Sequence, residues 1–270
     1  MRLNLIKERS TKPSEGHLDL LENILNKLIA IQKKLYLCRK HKTMGNIAEN
    51  IKQIWKNIPE NVKLIAVSKL KPVSVIQEAY NAGHQIFGEN RTQELAEKYQ
   101  LLPKDIQWHF VGHLQTNKVK YIIPYVSMIH SVDSAKLLQE INRLAEKNDR
   151  IVDCLLQFYI ATEESKFGFS LSEAEEILSD TAFQTWKNIR LCGVMGMATF
   201  TDNQELIRSE FKTLKEYFQV LKNKYFADQE TFKEISMGMT DDYPIAIEEG
   251  STMVRIGSAI FGERTKPITN

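Results

Sequence analysis

Residues 64–69 read Leu-Ile-Ala-Val-Ser-Lys. Four consecutive apolar residues, two of them β-branched, form a short strand buried on both faces, as in a parallel sheet covered by helices. The lysine that follows leaves that strand where the chain emerges from an apolar interior. The same alternation of strand and helix runs on in both directions. Upstream, Ile47, Ile51 and Ile54 share one helical face. Downstream, strands are predicted at Gln85–Phe87, Trp108–Val111, Met128–His130, Ile151–Tyr159, Ile189–Met195, Phe232–Ser236 and Met253–Ile256. The helices between them run from Pro72 to Gly83, Thr92 to Gln100, Asn117 to Ile123, Ser134 to Lys147, Ser172 to Ser179, Asn203 to Tyr225 and Asp242 to Glu249. A last helical turn starts near Ser258. Eight strand–helix units in about 210 residues predict a single α/β domain, a (β/α)8 TIM barrel. An open doubly wound sheet rarely needs eight units, and no GxGxxG follows the first strand.

The composition agrees with a soluble globular enzyme-sized domain. Of 270 residues, 43% are hydrophobic and 26% charged, which excludes a wholly disordered chain. A net charge of +2 gives no field for nucleic acid or an acidic partner. Cys38, Cys154 and Cys192 form no CxxC pair, which argues against a disulfide framework or zinc site and fits a reducing cytoplasm. No apolar run approaches the ~20 residues of a membrane span, and the N-terminus lacks the apolar core of a secretory signal.

The charge is uneven. Residues 1–43 hold ten Lys and Arg against four Asp and Glu, whereas the rest holds 26 against 30. The chain therefore divides near Met44 into an N-terminal extension (1–43), a barrel (44–264) and a short tail (265–270). Met1 to Gly16 reads as disordered. Leu21, Ile24, Leu28, Ile31 and Leu35 then form a heptad-like helical seam. That helix docks on the barrel, self-associates, or belongs to an upstream extension ahead of a start at Met44. Glu8 and Glu15 argue against a mitochondrial presequence.

Active sites of such barrels sit at the C-terminal ends of the strands. Lys69 lies at that end of the first strand. Partial burial disfavours its ammonium and frees the amine for a Schiff base with an aldehyde. The plainer alternative is a rim lysine that snorkels or pairs with a carboxylate, and Lys71 reads as a solvated loop residue. The loops after strands seven and eight, Ser236-Met-Gly-Met-Thr240 and Gly257-Ser258, offer hydroxyls, backbone N–H groups and a helix start, the usual parts of a barrel phosphate site, though such residues also occur in ordinary turns. Strands one and eight are neighbours in a closed barrel. Together these features imply a ligand with an aldehyde at one end and a phosphate at the other, as pyridoxal 5′-phosphate (PLP) has. Arg255, inside the eighth strand, either faces the ligand's ring nitrogen or pairs with Glu89 or another rim carboxylate.

Seven blocks occur in order: Ile65-Ala-Val-Ser-Lys69, Phe87-Gly-Glu-Asn90, Trp108 to Lys118, Glu164-Ser-Lys-Phe-Gly168, Gly193-Val-Met-Gly-Met197, Ser236 to Asp242 and Val254 to Gly262. Together they resemble the pyridoxal phosphate homeostasis protein family (YggS/PROSC type) over about Met44 to Arg264. The resemblance implies a barrel like the N-terminal domain of alanine racemase, and a non-catalytic cytoplasmic protein of PLP homeostasis. It assigns the Schiff base to Lys69, phosphate contacts to Ser236, Gly257 and Ser258, and the pyridine-nitrogen position to Arg255. Asn90 and His109 are matched to the pocket lining, although His109 reads equally as a hydrogen-bonded core histidine. No metal is implied. PLP and PLP-dependent apo-enzymes are the expected partners, and a monomer or at most a weak dimer the expected state. The competing reading is a small PLP-dependent racemase-like enzyme, with Tyr243 the nearest candidate for an opposing base. A phosphate-binding aldolase using Lys69 lacks an evident acid–base partner.

Overall fold

The computed structural model describes residues 46–161 and 167–262. The Leu21–Leu35 seam, Cys38, the division at Met44, and the matches at Glu164, Lys166 and Arg264 lie outside the described residues.

Eight parallel strands close into one barrel in sequence order. They are β1 (Lys63–Val67), β2 (Ile86–Glu89), β3 (Gln107–Phe110), β4 (Met128–Val132), β5 (Val152–Gln157), β6 (Ile189–Met195), β7 (Glu234–Ser236) and β8 (Met253–Ile256). Closure is made by β1 against β8, from Lys63↔Met253 to Ala66↔Ile256. Ile65, Met128, Leu155, Cys192, Met195 and Met253 pack inside, so the barrel is a filled core and not a pore.

The helices are α1 (Ile47–Asn57), which precedes β1, then α2 (Val73–Asn81), α3 (Thr92–Leu101), α4 (Ala135–Glu146), α5 (Leu171–Ser179), α6 (Gln204–Tyr225), α7 (Tyr243–Glu248) and α8 (Ser258–Phe261). Several begin where their sequence supplies an N-cap. Asn46 accepts the Glu49 N–H at 3.2 Å, Ser134 that of Leu137 at 3.3 Å, and Asn203 that of Leu206 at 3.2 Å. Each such cap contributes about 1 kcal/mol. Apolar residues at helical spacing, such as Leu137, Leu138, Ile141 and Ala145 of α4, then bury one face.

Three local features depart from the expected pattern. The Asn117–Ile123 helix is a 3₁₀ segment, Thr116–Tyr121, as suits a connection too short for a longer α-helix. A further 3₁₀ turn, Phe183–Thr185, precedes β6. Finally, β2 extends to Glu89 because its ladder with β3 continues through Gly88↔His109 and Glu89↔Phe110. Glu89 is thus buried in the sheet and does not stand in a loop beyond it.

The β5–β6 ladder carries a bulge. Cys154 faces Leu191 and Leu155 faces Gly193, leaving Cys192 as the extra residue. Gly193 has φ 151°, and a Cβ there would lie 1.8 Å from the Glu234 carbonyl oxygen, so only glycine lets β6 and β7 approach. Cys154 and Cys192 are buried free thiols. Burial raises both, Cys192 to about 11, which makes them poor nucleophiles.

Candidate functional site

The strand C-termini open onto a cavity of about 260 Å³. Its walls include Val67 and Lys69 at the end of β1, Met197 and Phe200 after β6, Met239, Thr240 and Asp241 after β7, and Arg255, Gly257 and Ser258 of β8 and its loop. Four of the seven predicted residues, Lys69, Arg255, Gly257 and Ser258, therefore meet in one space. A larger depression of about 650 Å³ lies between α4 and Trp186. It belongs to the helical shell, away from the reactive strand ends.

Gly257 holds β8 close to β1, since a Cβ there would meet the Val67 carbonyl oxygen at 3.1 Å. Its N–H points at Thr240 Oγ1 (3.4 Å), and the Ser258 hydroxyl donates to the same oxygen at 3.1 Å. These three groups form a compact polar cluster in the wall that Lys69 also lines. Lys71 is not a freely solvated loop residue: its ammonium donates to the carbonyls of Phe261 (2.8 Å) and Gly262 (2.9 Å), binding the β1 loop to the end of α8.

Arg255 is buried and bridges the barrel's upper interior. Nη1 donates to the Ser236 carbonyl at 2.8 Å and to Ser236 Oγ at 2.7 Å, and Nη2 donates to the Gly196 carbonyl at 3.0 Å. Burial lowers the guanidinium to about 10, with the Asp242 carboxylate acting in the opposite sense. It remains a cation at neutral pH. The alternative pairing with Glu89 is not made, because Glu89 binds the Lys98 ammonium at 2.7 Å.

Ser236 and His109 do not line the cavity. Ser236 is fully buried on β7, where its hydroxyl meets Arg255 on one side and His130 Nδ1 on the other at 2.9 Å. His130 Nε2 in turn meets His109 Nδ1 at 2.8 Å. Because Arg255 can only donate, the serine hydroxyl is left to donate to His130 Nδ1. That places the His130 proton on Nε2, facing an accepting His109 Nδ1. Burial keeps both rings neutral, lowering His109 to about 3 and His130 well below its usual value, with Arg255 adding to the effect at His130. His109 is thus the hydrogen-bonded core histidine. The hydroxyl that the loop after β7 brings to the cavity is Thr240.

Asn90 stands just past β2, half-buried, and its Oδ1 is buried without a hydrogen-bond partner. It is not a wall of the cavity. One pair at the strand ends escaped the list of candidates. His113 Nδ1 lies 2.9 Å from Asp133 Oδ2, and the imidazole stacks on Phe167 at 3.8 Å. Asp133 directly follows β4 and His113 lies three residues past β3, but nothing in a linear reading joins them.

Comparisons with known proteins agree with this fold. The family model for the alanine racemase N-terminal domain covers residues 43–265. A protein of Aquifex aeolicus named pyridoxal phosphate homeostasis protein is 40% identical over 203 residues, 75% of this chain and 87% of its own length. This chain belongs to the pyridoxal phosphate homeostasis protein family. The Escherichia coli K12 member is 34% identical over 238 residues, spanning 82% of this chain and 98% of its own. Among solved structures, the family member PipY of Synechococcus elongatus PCC7942, with PLP bound, superposes with a TM-score of 0.73 at 32% identity. It covers 80% of this chain and 100% of that one. Alanine racemase of E. faecalis aligns with a TM-score of 0.62 at 16% identity, over 81% of this chain and 58% of that one, which shows a shared fold.

Proposed function

We propose that this chain holds pyridoxal 5′-phosphate on Lys69 and serves PLP homeostasis in the cytoplasm as a carrier and regulator, without transforming amino acids. The observation that carries this reading is the cavity itself, which is lined by Lys69 together with Gly257, Ser258 and Thr240. An amine and a cluster of small polar groups in one space fit an aldehyde and a phosphate on one rigid ligand.

When bound, PLP supplies a reactive aldehyde and an electron-withdrawing ring. The residues divide the remaining work. Lys69 provides the amine for the covalent link. Gly257, Ser258 and Thr240 hold the phosphate. Arg255, locked by three hydrogen bonds and still cationic, would disfavour a proton on a ring nitrogen placed beside it. That weakens the ring as a sink for carbanion charge and supports a carrier. The mouth is also open, with Phe200 85% exposed beside the cavity. Water weakens the electrostatics that catalysis needs, while an open mouth favours exchange of the aldehyde with an outside amine.

The recipients in this reading are PLP-dependent apo-enzymes. Among the described residues no helix is long and apolar enough to cross a membrane. We further assign residues 1–43 to an extension and the function to the barrel, acting as a monomer or weak dimer. Borohydride reduction of the PLP-loaded protein, followed by peptide mapping, tests the assignment. The label is expected on Lys69 and absent from Lys69→Ala. A Lys69→Ala protein that still acquires a reducible label on another lysine sinks it.

A further inference from the structure

Lys98 of α3 is almost wholly buried, and its ammonium makes three hydrogen bonds. The acceptors are the Ser68 carbonyl at 2.8 Å, Glu89 Oε1 at 2.7 Å and Glu94 Oε1 at 2.6 Å. Ser68, the residue before Lys69, is also held by its own hydroxyl, which donates to Glu89 Oε1 at 2.6 Å. Its carbonyl accepts the Lys71 N–H at 3.0 Å as well. Leu70, the residue after Lys69, donates its N–H to Glu94 Oε1 at 2.6 Å. One buried ammonium and its two carboxylates thus grip the backbone on both sides of Lys69.

The grip imposes strain. Leu70 has φ 62°, a left-handed conformation that an L-residue with a Cβ resists. Its side chain is 56% exposed, so packing does not compensate. The ion cluster is itself an expensive way to stabilise a fold. It places two carboxylates against one ammonium and leaves Glu89 Oε2 buried without a partner, and apolar residues of similar volume often do as well. Strain and buried charge both become intelligible if the quantity being held is the position of Lys69.

We propose that Lys98, with Glu89 and Glu94, is a positioning residue for Lys69, fixing the β1 loop so that the Lys69 amine is aimed at the ligand's aldehyde. This rests on the reading that Lys69 holds PLP. The group does not touch the ligand; it acts through the backbone of Ser68 and Leu70.

Two single substitutions separate positioning from general stability. Leu70→Gly removes the left-handed penalty and an exposed side chain, so the melting temperature of the PLP-free protein is expected to hold or rise. Its loosened loop should nevertheless weaken PLP affinity roughly tenfold, as misplacement of a reacting group by about 1 Å can lower rates by up to 100-fold. The pH at which the visible band of the loaded protein titrates should shift with it. Glu94→Ala should show the same two changes, and Glu94→Gln, whose amide oxygen still accepts the Leu70 N–H, should restore wild-type values. Opposite movements of thermal stability and PLP affinity in Leu70→Gly would establish positioning. Wild-type affinity and an unshifted titration in both Leu70→Gly and Glu94→Ala would overturn it. Lys69→Ala runs in parallel. If it loads PLP covalently like the wild type, the assignment of Lys69 itself has failed, which is a different result from an intact Lys69 link that ignores its loop.

Discussion

Replacing Ser236 with alanine distinguishes the position this hydroxyl occupies from the phosphate role that its motif implies. In the structure the hydroxyl lies between Arg255 Nη1, at 2.7 Å, and His130 Nδ1, at 2.9 Å, inside the barrel. Ser236→Ala removes one of the three acceptors of Arg255 and, among the described residues, the hydrogen-bond partner of His130 Nδ1. Arg255 keeps the Ser236 and Gly196 carbonyls. A buried imidazole nitrogen left without a partner costs about 1–3 kcal/mol. For a domain of this size, that corresponds to a melting point lower by roughly 2–12 °C, at about 2–4 °C per kcal/mol. Binding of inorganic phosphate and of PLP should change less than about twofold, since the proposed phosphate contacts at Thr240, Gly257 and Ser258 are untouched. The companion Thr240→Val keeps the side-chain shape and removes the hydroxyl beside Gly257 and Ser258. It should melt close to wild type and lose roughly tenfold in phosphate affinity, the value of about one hydrogen bond to a charged group. Scanning calorimetry and phosphate competition against PLP binding read both quantities. A Ser236→Ala protein that melts like wild type but loses phosphate affinity would refute the argument, because it would make Ser236 a wall of the cavity.

Further expectations concern pH, the extension and turnover. The His109 value falls from 6.5 to about 3 on folding, chiefly through burial, so the unfolded chain binds the extra proton between those values. The stability tied to His109 is therefore complete above pH 6.5 and is lost as pH falls toward 3. His109→Gln should flatten that part of a denaturation-versus-pH curve, and an unchanged slope would place the imidazole in water. A chain starting at Met44 should melt within a few degrees of the full chain and bind PLP equally, because every described element begins at Ile47 or later; an insoluble or much less stable product would make residues 1–43 part of the fold. Exchange of amino-acid α-protons into deuterated water should stay well below about one per second, the low end of ordinary enzyme turnover. Faster exchange that depends on Lys69 would instead establish a racemase-like enzyme.

Short apolar runs bounded by turn residues were legible as strands because both faces of a barrel strand are buried, so the whole run is hydrophobic. Ile189–Met195 and Met253–Ile256 have the same limits in sequence and structure. Helix starts were legible where a side chain can cap its own backbone, as at Ser134 and Asn203. Where a short connection tightens into a 3₁₀ turn, as at Thr116–Tyr121, apolar spacing alone could not tell the two helices apart. In the site, Lys69, Arg255, Gly257 and Ser258 could be placed together in advance, because their strands are first and last in a barrel and closure makes them neighbours.

Local periodicity and chain position alone set the order of eight strand–helix units and mark which polar side chains stand at the strand ends. Which hydroxyl lines the cavity needed the tertiary structure. Ser236 and Thr240 share one short segment, but Ser236 still lies in β7, paired with Met195 and Met253, and turns into the barrel, whereas Thr240 has left the strand. The same holds for the His113–Asp133 pair, 20 residues apart, and for Lys98, whose bonds to Ser68 and Glu89 cross from a helix to the loop after β1 and to β2. Such contacts are fixed by how the elements pack around the closed barrel, and no spacing along the chain encodes them.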